Sequence, residues 1–141
     1  MILIDSYGWI EYFAEGPLAD SYAPFIEKAN AENTITPTIV VYEVYKKIKN
    51  TKGEQKALEA YAQISRTKII ELTSPLSLEA ADISLTTNLG MADSIIAATA
   101  KAYNAEIITS DKHLKNMKEV KFINKRHCRA RGLAETNTLN I

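Results

Sequence analysis

Asn88-Leu89-Gly90-Met91-Ala92-Asp93-Ser94-Ile95-Ile96-Ala97-Ala98-Thr99-Ala100-Lys101-Ala102-Tyr103 is the stretch whose reading decides the fold. Asn88-Leu89-Gly90 is a turn. A helix is expected from about Met91 to Tyr103, with Lys101 as its only basic residue. A helix with so little polar surface must be covered on most sides. Asn104 is a helix-end residue, and Glu106-Ile107-Ile108-Thr109 then reads as a short strand.

Working outward, the same alternation recurs. Ile2-Leu3-Ile4 is an apolar run that reads as a buried strand. Further strands are expected at Thr34-Ile35-Thr36, closed by Pro37, at Ile69-Ile70-Glu71-Leu72 and at Val120-Lys121-Phe122-Ile123. Helical spacing lies between them. Trp9, Tyr12 and Phe13 form one turn of chain that Gly16-Pro17 ends. Tyr22, Phe25, Ile26 and Ala29 follow the amphipathic pattern, and Val41, Val44, Tyr45 and Ile48 form a stripe that Asn50-Thr51-Lys52-Gly53 breaks. Ala57 to Ile64 is a further helix, and Ser74-Pro75 opens one through Ala80 and Ile83 toward Thr87. Short apolar strands separated by helices indicate an α/β domain with a mainly parallel sheet of about five strands. Residues 1–124 are expected to form that domain, and residues 125–141 a polar, basic tail without clear periodicity.

Composition is compatible with this reading and excludes others. A chain of 141 residues, 46% apolar and 24% charged, is neither disordered, nor collagen-like, nor a disulfide scaffold. Its length suits one domain, which buries roughly 68–70% of the extended chain's surface. Cys128 is the single cysteine and cannot form an internal bridge, which favours a reducing setting. The opening Met1-Ile2-Leu3-Ile4-Asp5 has no secretory pattern, and the richest apolar run, Ile95 to Ala100, is far short of a membrane span. A soluble, cytoplasmic protein with no membrane partner is expected.

The global net charge of zero conceals an asymmetry. Lys112 to Arg131 holds eight basic residues and one acid, Glu119. Lys46, Lys47, Lys49, Lys52 and Lys56 form a second run against Glu54 alone. Either run taken alone reads as a solvated face. Both begin just after an acid of interest. In an open parallel sheet ligands bind outside the carboxyl ends of the strands. Asp5 follows the first strand directly, and Asp111 follows Glu106–Thr109 after one serine. Asp93 opens the buried helix, and Glu43 lies one turn into the helix after the second strand. Four carboxylates on one edge would repel unless a cation sits among them, and hard divalent ions suit oxygen ligands.

Each acid also has a plainer reading. Asp5, Asp93 and Asp111 each precede a helical pattern and could serve as N-caps. Glu43 sits off the apolar stripe, where Lys47 at i+4 would make a surface ion pair. Other acid- or nucleophile-based chemistries fit less well. Asp5-Ser6-Tyr7 lacks the second acid of a haloacid-dehalogenase-type phosphotransferase, and there is no glycine-rich phosphate loop. His113 and His127 flank no plausible nucleophile, and Cys128 has no partner cysteine for a zinc site. His113 is most simply a solvated residue in a basic segment.

Taken together, Met1-Ile2-Leu3-Ile4-Asp5-Ser6, Val40-Val41-Tyr42-Glu43-Val44, Leu89 to Ala100 and Ile107-Ile108-Thr109-Ser110-Asp111 resemble the PIN-domain family, most closely its VapC-type toxin ribonucleases. The resemblance spans about residues 1–124. It implies a three-layer α/β/α sandwich around a parallel sheet and an endoribonuclease that uses Mg²⁺ or Mn²⁺. Asp5, Glu43, Asp93 and Asp111 then become the acidic, metal-holding cluster, with Ser6 and Thr109 as small hydroxyl residues supporting it. Lys46, Lys47, Lys112 and His113 become candidate RNA contacts. A homodimer and a small antitoxin protein are the implied partners. Two features depart from the family pattern: Thr86-Thr87-Asn88 carries no basic residue, and the basic tail extends past the last expected strand. A PIN nuclease in RNA processing without an antitoxin, and a PIN-like module that binds without cutting, are the rival readings. The intact acid set argues against the second.

Six of the eleven aromatic residues, Tyr7, Trp9, Tyr12, Phe13, Tyr22 and Phe25, fall within the first 25 residues. Two short helices are hard put to turn all six into one core, so some are expected to face a partner. The basic runs lead to a measurable expectation. In a cleavage-dead Asp93→Asn background, replacing Lys46 and Lys47 with alanine should weaken binding of single-stranded RNA evenly across sequences. It should also flatten the slope of log affinity against log salt by about 1–1.5, at about 0.7 per neutralised phosphate. Filter binding at several salt concentrations checks this, and an unchanged slope assigns the lysines to a merely solvated face.

Overall fold

Five short strands, β1 (Ile2–Ile4), β2 (Thr34–Pro37), β3 (Lys68–Ile70), β4 (Glu106–Thr109) and β5 (Val120–Phe122), make one sheet in the computed structural model, which describes residues 1–124. The expected basic tail lies outside the described residues. The spatial order is β3-β2-β1-β4-β5, and every neighbouring pair is parallel. Between the strands run α1 (Ser6–Phe13), α2 (Ala19–Glu27), α3 (Thr38–Lys52), α4 (Glu54–Ile64), α5 (Ser74–Thr87) and α6 (Met91–Ala102). The result is the expected α/β/α sandwich.

Leu3, Ile4, Ile35, Ile107 and Ile108 are buried, and all four residues of β2 are inaccessible. Strands buried on both faces read as continuous apolar runs rather than alternating ones, which is why these segments were legible. The edge strand is less so. It spans Lys68–Ile70 rather than Ile69–Leu72, because its pairing with β2 ends at Pro37↔Ile70. Beyond Pro37 the chain enters α3, so Glu71 and Leu72 have no ladder to join and are exposed.

The stripe on α3 is also corrected. Val40, Val44 and Ile48, at i, i+4 and i+8, are the buried residues, whereas Val41 and Tyr45 are only partly covered. The helix continues through Asn50 and Thr51 to Lys52. Gly53, at φ +92°, ends it in a conformation that residues with a Cβ rarely adopt. Helix α6 is covered as expected: Ser94 through Ala100 form seven consecutive buried residues. Its small side chains admit close neighbours, and it packs against α5, α3, β2 and β4. The two buried hydroxyls are satisfied within their own turns, Thr99 Oγ1 donating to the Ile95 carbonyl at 2.7 Å and Ser94 Oγ to that of Leu89 at 3.3 Å.

At the N-terminus, Trp9 and Tyr22 are fully buried, and Tyr12, Phe13 and Phe25 pack partly covered against the core. Trp9 and Phe13 stack with ring centroids 6.1 Å apart, and Phe13 meets the edge of Tyr12 at 5.3 Å. Tyr7 alone of the six is exposed. This cluster closes over Gly8, where an added Cβ would stand 2.4 Å from Tyr22 Cε1 and 3.0 Å from Ile4 Cγ2. Neither the buried Tyr22 ring nor β1 can move aside freely. Gly8→Ala should therefore destabilise the fold by about 1–3 kcal/mol, read as a lower urea midpoint at unchanged slope. A midpoint equal to that of the parent would show that the Tyr22 ring yields.

Candidate metal centre

The chain leaves β1 toward β2 and leaves β4 toward β5, in opposite directions across the sheet. A crevice must open between the carboxyl ends of two adjacent strands whose connections diverge in this way. Asp5 directly follows β1, and Asp111 lies two residues beyond β4. Helix α3 starts where β2 ends and carries Glu43, while Asp93 stands in the first turn of α6.

Asp5 is nearly inaccessible, at 3% exposure. It is the N-cap of α1: its Oδ1 accepts from the Gly8 N–H at 2.9 Å. Its Oδ2 accepts from the Thr109 hydroxyl at 2.5 Å, and the same Thr109 oxygen accepts from the Asp111 N–H at 2.9 Å. One hydroxyl thus ties the ends of β1 and β4 together. Burial pushes the Asp5 carboxyl up to about 6; the two hydrogen bonds oppose this, and the charges of Asp111 and Asp93 add to it. Ser6, the first residue of α1, is partly buried and makes no side-chain hydrogen bond to the four acids.

Asp93 is no N-cap. Gly90 occupies that position, and Asp93 sits within the first helical turn, where the helix dipole favours negative charge. Its carboxyl is nevertheless raised to about 6, by burial first, then by Asp111, with His113 opposing and Glu43 adding a little. Asp111 caps a turn rather than a helix: its Oδ1 accepts from the His113 N–H at 2.9 Å, and His113 Nδ1 lies 2.9 Å from the same oxygen. Glu43 forms no pair with Lys47 among the described residues. Instead its Oε1 is buried without a hydrogen-bond partner.

The four acids are thus brought within electrostatic reach of one another, and no lysine or arginine among the described residues pairs with any of them. One oxygen each from Asp93 and Asp111 and one nitrogen of His113 lie within 4.8 Å of one another. An unpartnered buried oxygen, two carboxyls held protonated well above their ordinary range and an oxygen-rich donor set fit a divalent cation. His113 in this group is what sequence reasoning missed. The available signal was its position two residues beyond an acid at a strand's carboxyl end. A second unanticipated contact buttresses the loop: the buried Tyr22 hydroxyl donates to Ser110 Oγ at 2.9 Å.

The candidate RNA contacts Lys46, Lys47 and Lys112 are all exposed. Lys46 lies over the Tyr42 ring, its Nζ 5.4 Å from the centroid. No helix among the described residues is long and apolar enough to cross a membrane.

The family model of the PIN domain matches residues 2–120. No curated protein matches the chain. Among solved structures it is similar to a toxin-antitoxin complex from Klebsiella pneumoniae, with a TM-score of 0.71 and 21% identity, covering 89% of this chain and 98% of that one. It is also similar to VapC20 of Mycobacterium tuberculosis, described as a Sarcin-Ricin loop cleaving toxin, with a TM-score of 0.67 and 12% identity, covering 94% and 95%. FitAcB from Neisseria gonorrhoeae gives 0.64 and 20%, covering 90% and 99%. At these identities the likeness is one of fold.

The raised Asp5 carboxyl has a consequence for stability. Below 3.8, its unfolded value, the group is protonated in both states; between 3.8 and about 6 the unfolded chain ionises while the folded protein keeps its proton, so stability falls across that window and levels off above it. Asp5→Asn keeps an acceptor for the Gly8 N–H and removes the charge. In EDTA, the stability of Asp5→Asn relative to the parent should therefore grow by about 2 kcal/mol from pH 4.5 to 7.5. Urea unfolding at the two pH values measures this, and a pH-independent difference would mean that Asp5 is ionised throughout.

Proposed function

The chain belongs to the PIN-domain family, and from that premise we propose that it is a Mg²⁺- or Mn²⁺-dependent endoribonuclease that hydrolyses phosphodiester bonds of single-stranded RNA. We further propose that it is the toxin half of a type II toxin–antitoxin pair, acting in the cytoplasm as a homodimer restrained by a small antitoxin. The observation that carries the nuclease reading is the set of four carboxylates gathered at the crevice of the sheet, with no lysine or arginine among the described residues paired to any of them. Support for the pairing comes from the toxin-antitoxin complexes whose fold the chain shares.

Asp5 and Asp93 would hold the ion, with Glu43 and Asp111 completing or orienting its shell. A bound divalent ion supplies a Lewis acid for a phosphoryl oxygen and lowers the pKa of water. The protein's own contribution is position. The Gly8 N–H and the Thr109 hydroxyl fix both oxygens of Asp5, so its carboxylate cannot rotate away. The bond from the Asp111 N–H to Thr109 sets the spacing between the first and last acids. Glu43 offers a buried oxygen with nothing else to bind. Exposed Lys46, Lys47 and Lys112 offset the repulsion between this acidic crevice and a phosphate chain.

Asp5→Asn and Asp93→Asn should each lower cleavage of a single-stranded RNA pool by at least about 100-fold, with circular dichroism unchanged. Excess EDTA should abolish cleavage by the parent protein, and restored Mg²⁺ or Mn²⁺ should return it. Full activity in EDTA, or in either variant, would falsify the assignment.

A further inference from the structure

Each oxygen of Asp5 accepts one hydrogen bond, from Gly8 and from Thr109, and keeps a lone pair for an ion, but the donor atoms that lie within 4.8 Å of one another come from Asp93, Asp111 and His113. Donors around a single ion at about 2.0–2.2 Å are separated by up to about 4.4 Å, and the Asp93, Asp111 and His113 atoms already lie within 4.8 Å of one another. The imidazole is placed by the backbone rather than by chance. The turn in which Asp111 Oδ1 accepts from the His113 N–H also sets the ring beside that carboxylate. Apart from Asp111 the ring is open to solvent, at 80% side-chain exposure, so a ring nitrogen remains available.

We propose that His113 is a nitrogen ligand of the ion held by Asp93 and Asp111, and that it biases the site toward a first-row transition ion such as Mn²⁺ over Mg²⁺. The inference rests on the metal reading of the acid cluster given above. Mg²⁺ demands oxygen ligands and keeps its waters, whereas imidazole nitrogen favours transition ions. His113 is thereby a selectivity residue, distinct from the acids that would bind either ion.

The test uses the full-length, tag-free protein, stripped with chelator. Calorimetric titration with Mn²⁺ and with Mg²⁺ is combined with pulsed electron paramagnetic resonance of the Mn²⁺-loaded protein. The parent should show ¹⁴N modulation from a directly bound imidazole. His113→Asn should remove that modulation and weaken Mn²⁺ about tenfold, while Mg²⁺ affinity changes less than threefold. His127→Asn, which alters the chain's other histidine, should leave both unchanged. Absence of ¹⁴N modulation in the parent, or equal effects on the two ions, overturns the proposal. So does loss of RNA affinity in EDTA with metal binding intact, which would make His113 a phosphate contact. If the parent binds neither ion, the metal reading fails and this inference with it; if it binds both and His113→Asn changes nothing, only the inference fails.

Discussion

Like charges crowded at one edge of a sheet repel, and this protein must hold four of them there. Its means are almost entirely uncharged. Asp5 is held by a backbone N–H and a threonine hydroxyl, and Thr109 in turn is fixed by the Asp111 N–H. Behind these contacts stands apolar packing: Leu3, Ile4, Ile107 and Ile108 in the paired strands, and the covered run of α6. Replacing repulsion by rigidity in this way leaves Asp5 and Asp93 poorly solvated and protonated too readily. A lysine counter-ion would relieve that strain and would also occupy the place proposed for a divalent ion.

Helix ends supply a further, distributed compensation. Asp5 caps α1, and Asp93 lies in the first turn of α6, so two helix N-termini present positive partial charge toward the crevice. The same residue thus satisfies a local structural rule and serves a site. For Asp5 the plain cap reading and the functional reading are compatible, since the cap uses one face of a carboxylate that still has lone pairs free. For Asp93 the geometry separates them, because Gly90 takes the cap.

How much of this was legible depended on whether local pattern or tertiary contact decided the outcome. Ile2–Ile4, Glu106–Thr109 and the bare helix after Gly90 were readable because continuous burial leaves a continuous apolar signature. On α3, apolar residues stand at 40, 41, 44, 45 and 48, so two overlapping stripes satisfy the helical period; packing against α1, α4 and α6 selects Val40, Val44 and Ile48. Glu43 carried no local sign of its burial, since its nearest sequence partner, Lys47, invites a surface pair that does not form. His113 was hidden for a different reason. Its place beside Asp93 depends on a side-chain-capped turn, and turn geometry between a strand and an irregular segment has no periodicity to read.

The strand order carries a consequence for how the chain comes into being. β1 precedes every other described element along the chain, yet one of its two neighbours is β4, whose register pairs Ile4 with Ile108. Until that late segment emerges, one edge of the central strand stays open, and Asp5 lacks the hydroxyl that fixes it. At about 5–20 residues per second, the intervening hundred-odd residues represent seconds of synthesis. A nascent or prematurely ended chain therefore carries three of the four acids without the geometry that joins them. Completion of the crevice therefore waits for β4, a delay fixed by the order of the strands rather than by any separate restraint.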